Sequence, residues 1–338
     1  MGARAIRSQS YTVNELEREP TVREPSMIAR RNFIRGAIAT IAALPGKAQE
    51  VPNSVGTGHP KLKAPAHACD CHMHIYDPAR FPFAPNAKAA PTRAAVPQYR
   101  MLQNRIGTTR VVIVTPRNYR VDNRATVDAI TQLGADARGV AVLYPTVTDA
   151  ELKKLHDGGI RGIRFTLGDP AVAVVTPAMI EPLAKRVAVL GWHIQFNMGG
   201  EQIVELADVL RRLPTQMVFD HLANPPLPTG ITHPSHGIVR GLLDQGRAWV
   251  KLSGAYINSK IGPPSYPEAA TIARDFVKAA PERLVWGSDW PHPGLPDDHK
   301  PDDALLFDLL SVWVPDEATR NRVLVRNPET LYGFAKSA

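Results

Sequence analysis

The 338-residue chain carries 40 Lys and Arg against 32 Asp and Glu and is 44% hydrophobic, the proportions of a globular protein with a large core and not of a disordered or fibrous one. No apolar run approaches the roughly 20 residues that span a bilayer. No dense basic patch, zinc-finger spacing or aromatic-interleaved Lys/Arg stripe points to a nucleic-acid partner, and two cysteines one residue apart, Cys69 and Cys71, leave no disulfide framework to hold the fold.

The first 48 residues contain eight basic and four acidic groups and so account for half of the +8 net charge. Within them, Ala29-Arg30-Arg31-Asn32-Phe33-Ile34-Arg35, an uncharged stretch over 36–44 and the small-residue site Gly46-Lys47-Ala48 resemble a twin-arginine export signal. Ala29 stands where such signals usually carry Ser or Thr, and Met27 offers an alternative start. The leader predicts a periplasmic location; without a functioning signal the protein is cytoplasmic. Residues 49–66, rich in Gly, Pro and Lys, read as a linker.

From residue 68 onward, short apolar runs alternate with longer segments of helical period, the pattern of repeated βα units around a parallel sheet. The spacing predicts strands over 68–75, 110–115, 139–144, 159–165, 192–197, 217–221, 248–252 and 284–288. Helices are expected between them, for example over 176–190, where Met179, Ile180, Leu183, Val187 and Leu190 recur every three or four residues. Another is expected over 201–213, and a closing helix over 315–334. Eight strands in this length predict a single-domain (β/α)8 TIM barrel over 67–338. The rival doubly wound sheet lacks a Gly-x-Gly-x-x-Gly turn after the first strand.

A barrel presents its chemistry at the C-terminal ends of its strands. The first strand ends Asp70-Cys71-His72-Met73-His74, and the two-residue period puts Asp70, His72 and His74 on one face. There two imidazoles can share a metal or a substrate oxygen. The fifth strand ends at Asn197, the sixth at Asp220-His221, and the seventh runs into Lys251-Leu252-Ser253-Gly254. The eighth ends Gly287-Ser288-Asp289-Trp290-Pro291-His292-Pro293. One strand-end histidine is ordinarily a hydrogen-bonded structural residue; it is the convergence of several such groups on one rim that marks a site.

His-x-His on the first strand, Phe219-Asp220-His221 on the sixth, Gly287-Ser288-Asp289-Trp290-Pro291 on the eighth and the closing Asn327-Pro328-Glu329-Thr330-Leu331-Tyr332-Gly333 resemble, in order and spacing, the amidohydrolase superfamily in its amidohydrolase-related branch. The finer motifs Thr109-Arg110-Val111-Val112-Ile113-Val114 and Gly159-Ile160-Arg161-Gly162-Ile163-Arg164-Phe165 are most similar to the members acting on anionic lactones: 2-pyrone-4,6-dicarboxylate hydrolases, 4-sulfomuconolactone hydrolases and galactarolactone isomerases. Many members bind two metals through a Lys on strand four and a His on strand five. Here those strands offer Arg164 and Asn197, so a binuclear site is not expected. His72, His74, His221 and Asp289 suffice for one zinc or other divalent ion, and the resemblance is equally compatible with catalysis that needs no metal.

The resemblance implies a lactone-opening hydrolase of aromatic-compound degradation, with a small anionic lactone as its partner. Asp289 is the expected base for an attacking water, while His72, His74 and His221, or a metal they hold, polarise the carbonyl. Arg164 and Arg161 are the expected anion-binding residues; three apart, they point to opposite faces of a regular strand, which favours Arg164. Tyr119, with Arg117 and Arg124, is expected at the mouth, and Asn197 and His292 beside the substrate. A metal-dependent aromatic-acid decarboxylase, a lactone isomerase and an exported solute-binding protein are the competing readings.

Overall fold

The structure, a computed structural model, describes residues 50–87, 90–169 and 173–337; the arginine-paired leader lies outside them. Eight parallel strands pair in chain order, β1 (Cys69–Met73), β2 (Arg110–Val114), β3 (Ala137–Ala141), β4 (Ile160–Thr166), β5 (His193–Asn197), β6 (Met217–Phe219), β7 (Ala248–Leu252) and β8 (Leu284–Trp286). Helices α1 (Val96–Ile106), α2 (Arg124–Leu133), α3 (Asp149–Asp157), α4 (Ile180–Ala188), α5 (Gly200–Glu205), α6 (Ala207–Arg212), α7 (Pro234–Asp244), α8 (Pro267–Ala279) and α9 (Asp303–Trp313) lie between and after them. This is the (β/α)8 barrel that the strand count predicts.

The two-residue period divides the strand side chains between two cores. Val111, Ile113, Ile163 and Ile194 join the large cluster shared with the helices. Cys69, Cys71, Val112, Val114, Val140, Val218, Trp249 and Val285, drawn from six strands, meet one another in a second cluster that only a barrel interior can assemble. Its floor is closed by Tyr332 and Phe334 from the chain's last helices, α10 (Glu317–Asn321) and α11 (Asn327–Tyr332) with the tail beyond them. Arg138 covers the Phe334 ring at 4.7 Å, a cation over an aromatic face.

Four expectations change in detail. The third strand begins two residues earlier than predicted and stops at Ala141, because the Val142 amide leaves the ladder to donate to Asn123 Oδ1 at 2.9 Å. The helix expected over 201–213 is two, breaking at Leu206, and the closing helix is divided by a π-helical turn at Arg322–Arg326. Residues 50–66 are not a free tether. The Leu62 amide donates to Asp308 Oδ1 at 2.8 Å, and Arg105 reaches out to the Gly58 and Val55 carbonyls at 2.8 and 3.1 Å. Composition indicated a linker because this segment satisfies its backbone on the barrel wall and not through regular structure of its own.

Candidate active site

The seam between β8 and β1 builds the site. Ladder pairing gives way there to irregular bonds: the Asp289 amide donates to the His72 carbonyl at 2.8 Å and the His74 amide to the Trp290 carbonyl at 2.9 Å. The chains approach so closely that a Cβ on Gly287 would lie 2.6 Å from His72 Cβ, which is why glycine opens the Gly-Ser-Asp-Trp-Pro turn. Asp289 follows with φ +63, a left-handed backbone that costs of order 1–3 kcal/mol in a non-glycine residue and turns its carboxylate inward.

Asp70 does not share the face of His72 and His74. The register of β1 shifts between Asp70 and Met73, and Asp70 points behind the seam. It accepts the Ser288 hydroxyl at 2.6 Å, the Ser288 amide at 2.9 Å and the Tyr99 hydroxyl at 3.1 Å. A bulge breaks the alternation that sequence period assumed, and Asp70 becomes the strut that aligns the eighth-strand turn.

Past the bulge, imidazoles converge on one carboxylate oxygen. Asp289 Oδ1 lies 3.4 Å from His74 Nε2, 3.5 Å from His72 Nε2 and 3.9 Å from His221 Nε2. Burial alone would push the Asp289 carboxyl up, but the imidazoles of His221, His74 and His72 hold it well below the usual carboxylate range. His221 sits on a left-handed backbone, φ +49, with Nδ1 3.0 Å from Ser253 Oγ. His74 Nδ1 donates to the Val114 carbonyl at 2.7 Å, which fixes the ring so that Nε2 is the nitrogen turned to Asp289.

Beneath this layer lies a fully buried charge network. Lys251 Nζ reaches Gln195 Oε1 at 2.8 Å and His72 Nδ1 at 3.1 Å, and stands 3.5 Å from Asp220 Oδ1. Asp220 also accepts from Arg164 Nε at 2.9 Å and lies 3.1 Å from His72 Nδ1. Burial and the Lys251 charge keep the His72 ring neutral, well below its ordinary value, while the cations around Asp220 outweigh its burial and keep it ionised.

The rim opens into a cavity of about 690 Å³ reached by His74, His221, Asp289, Arg164, Asn197 and Arg117. His72 is not on its wall; it supports the wall from below. Arg161 is excluded: it turns to the helix layer and donates to the His156 and Ile160 carbonyls at 2.8 and 2.7 Å. Tyr119 is also behind the wall, its hydroxyl accepting the Asp77 amide at 2.8 Å. His292 is buried between Tyr256 and Asp303, and Arg124 is spent on Asp122 at 2.7 Å.

Residues 69–334 match the amidohydrolase family pattern. The chain belongs to the amidohydrolase family. The 2-pyrone-4,6-dicarboxylate hydrolase of Comamonas testosteroni is 36% identical over 282 residues, 81% of this chain and 92% of its own. A 4-sulfomuconolactone hydrolase of Rhizobium radiobacter is 31% identical, covering 80% of this chain and 91% of its own. The D-galactarolactone isomerase of Agrobacterium fabrum is also 31% identical, with 81% and 93% covered. An unliganded Agrobacterium tumefaciens structure superposes with a TM-score of 0.77 at 30% identity, covering 84% of this chain and 99% of its own. An Acinetobacter baumannii structure, described as a 2-pyrone-4,6-dicarboxylic acid hydrolase with citric acid bound, gives 0.65 at 27%, with 79% and 100% covered.

Amidohydrolases often carry metal, and the donor set of this amidohydrolase fits one divalent cation. His72 Nε2 and His74 Nε2 are 3.3 Å apart, and each is 3.4 or 3.5 Å from Asp289 Oδ1. Tetrahedral zinc, with bonds of about 2.0–2.1 Å, spaces its ligands about 3.3–3.4 Å apart. His72 has two settings. Accepting from Lys251 at Nδ1 puts its proton on Nε2, where it bonds His74; donating from Nδ1 to Asp220 frees Nε2 for a cation. The sequence reading named Lys251 at the end of the seventh strand without giving it a role, and it did not single out Gln195 or Tyr256. Lys251 had one available signal: a charged residue inside an apolar strand, Ala248-Trp249-Val250-Lys251-Leu252, is rare without a paired partner.

Proposed function

We propose that this amidohydrolase opens a small anionic lactone by adding water to its carbonyl, a carboxylic ester hydrolysis. The observation that carries the reading is the Asp289 carboxylate, ionised, ringed by three imidazoles, and facing the same cavity as Arg164. Asp289 takes the proton of an attacking water and returns it to the ring oxygen as the ester bond breaks. His74 and His221, on the cavity wall, meet the charge that develops on the carbonyl oxygen. The Arg164 guanidinium spends Nε on Asp220 and lines the cavity, a fork suited to a carboxylate or sulfonate. A divalent ion on His72, His74 and Asp289 would supply Lewis-acid polarisation of the carbonyl.

The relatives support a substrate of the 2-pyrone-4,6-dicarboxylate or 4-sulfomuconolactone type from aromatic-compound degradation. The test is initial rates on both lactones, before and after chelation, in water enriched in heavy oxygen. Hydrolysis places one labelled oxygen in the acid product; isomerisation, the activity named for the Agrobacterium fabrum relative, incorporates none. The paired-arginine leader supports a periplasmic location, and cell fractionation with Arg30 and Arg31 both replaced by Lys tests it: retention of the variant in the cytoplasm is expected, and unchanged export would refute it.

A further inference from the structure

The mechanism above uses one oxygen of Asp289. The other, Oδ2, accepts the Tyr256 hydroxyl at 2.5 Å. Behind Tyr256 stands a second pair: His292 Nδ1 lies 3.1 Å from the Tyr256 oxygen, and His292 Nε2 lies 3.1 Å from Asp303 Oδ2. His292 and Asp303 are wholly buried, and neither reaches the cavity, so substrate contact does not explain them.

The chain is braced at every link. The His292 amide donates to the Asp289 carbonyl at 2.7 Å, and the Lys300 ammonium holds the His292 carbonyl at 2.9 Å. Asp303 opens α9, and its amide donates to Ser54 Oγ at 3.2 Å. The hydrogen bonds also fix their own direction. Tyr256 has one proton, which it gives to the Asp289 carboxylate, so its oxygen can only accept from His292. The His292 ring spans the gap behind it, Nδ1 toward the Tyr256 oxygen and Nε2 toward the Asp303 carboxylate.

We propose that Tyr256 is a positioning residue for Asp289, held in place by the His292–Asp303 pair. Its hydroxyl occupies Oδ2, so Oδ1 is the oxygen turned to the imidazoles and the reacting atoms. This rests on the lactone-hydrolase reading. It also gives His292 a role other than substrate contact: it acts on the base through a tyrosine.

Two measurements test it. The first is steady-state kinetics of Tyr256→Phe, His292→Ala and His292→Asn. The Phe variant is expected to lose about tenfold to a hundredfold in kcat, the range for removing a supporting hydrogen bond, with KM changed less than about threefold. His292→Ala is expected to lose a similar amount, and His292→Asn, whose amide can still donate to the Tyr256 oxygen, to recover most of it. A kcat for Tyr256→Phe within about twofold of the unaltered protein would overturn the proposal. The second needs no turnover: nitrogen-resolved NMR of histidine-labelled protein. The His292 Nδ1 signal is expected to be displaced in Tyr256→Phe and the Nε2 signal retained. An unmoved Nδ1 signal would refute the chain. If the unaltered protein opens neither lactone, the substrate reading fails, and the NMR result still decides the positioning chain.

Discussion

Arg164 Nε lies 2.9 Å from Asp220 Oδ2 with both side chains buried, so the guanidinium facing the cavity is anchored by a carboxylate that also serves Lys251 and His72. An anchored fork loses little freedom on meeting an anion. Replacing Arg164 with Met should raise KM for an anionic lactone about tenfold to a hundredfold, the worth of one hydrogen bond to a charged group, with a smaller change in kcat. Asp220 keeps His72, Lys251 and Gln195 as partners, so the variant should remain folded. Unchanged KM in steady-state assays would remove Arg164 from substrate recognition.

Asp289→Asn keeps the shape of the side chain and its acceptor for Tyr256 but cannot take a proton from water. A fall in kcat of at least about a hundredfold is expected, from the usual weight of general-base catalysis. Substrate affinity measured by calorimetry should change little. Near-full turnover would show that another group carries the proton.

Lys251 bonds the ring nitrogen of His72 opposite the one that would hold a metal. Lys251→Met removes the donor to His72 Nδ1 and leaves Asp220 as the partner of that nitrogen, while also deleting a buried positive charge beside the cation position. Zinc affinity, read by competition with a chromogenic chelator, should rise by about tenfold, the lower end of what groups behind metal ligands contribute. A weaker or unchanged affinity would show that Lys251 does not set the state of His72.

Much of this site was legible in the sequence because barrels assign strand ends a fixed side of the molecule. His74, His221, Asp289, Arg164 and Asn197 all stand on the cavity wall as that rule requires. What misled was local. Asp70 was placed by alternation, and a one-residue register shift turned it away. Tyr119 and Arg161 have the right chemistry near the right strand ends, but backbone partners within reach claimed their polar atoms. The roles of Lys251 and Tyr256 could not be read because each is defined by groups far away in the chain, His72 and Asp289, that no local pattern brings together.

His193 starts β5 inside the barrel, where Gly162 makes room for its ring: a Cβ there would lie 2.4 Å away. Both ring nitrogens lack a partner among the described residues, and burial, with the Lys251 charge, lowers its value from 6.5 to about 3. Between those values the unfolded chain binds the proton that the folded chain refuses. This contribution to stability is therefore complete above 6.5 and is lost as pH falls through the window, by roughly 5 kcal/mol at most. Chemical denaturation across that range should show a shallower acid loss for His193→Gln than for the unaltered protein. Parallel curves would mean that the ring is solvated in the folded state.

The segment ahead of the barrel is part of the support of the catalytic turn. Trp290, the residue after Asp289, donates its indole N–H to the Pro52 carbonyl at 2.7 Å, and Val51 is buried beside it in the same core. Ser54 holds the start of the helix that carries Asp303. A peptidase trimming the leader after Ala48 would leave all three in place. A chain that began after Ser54 would lack the outer brace of the catalytic turn.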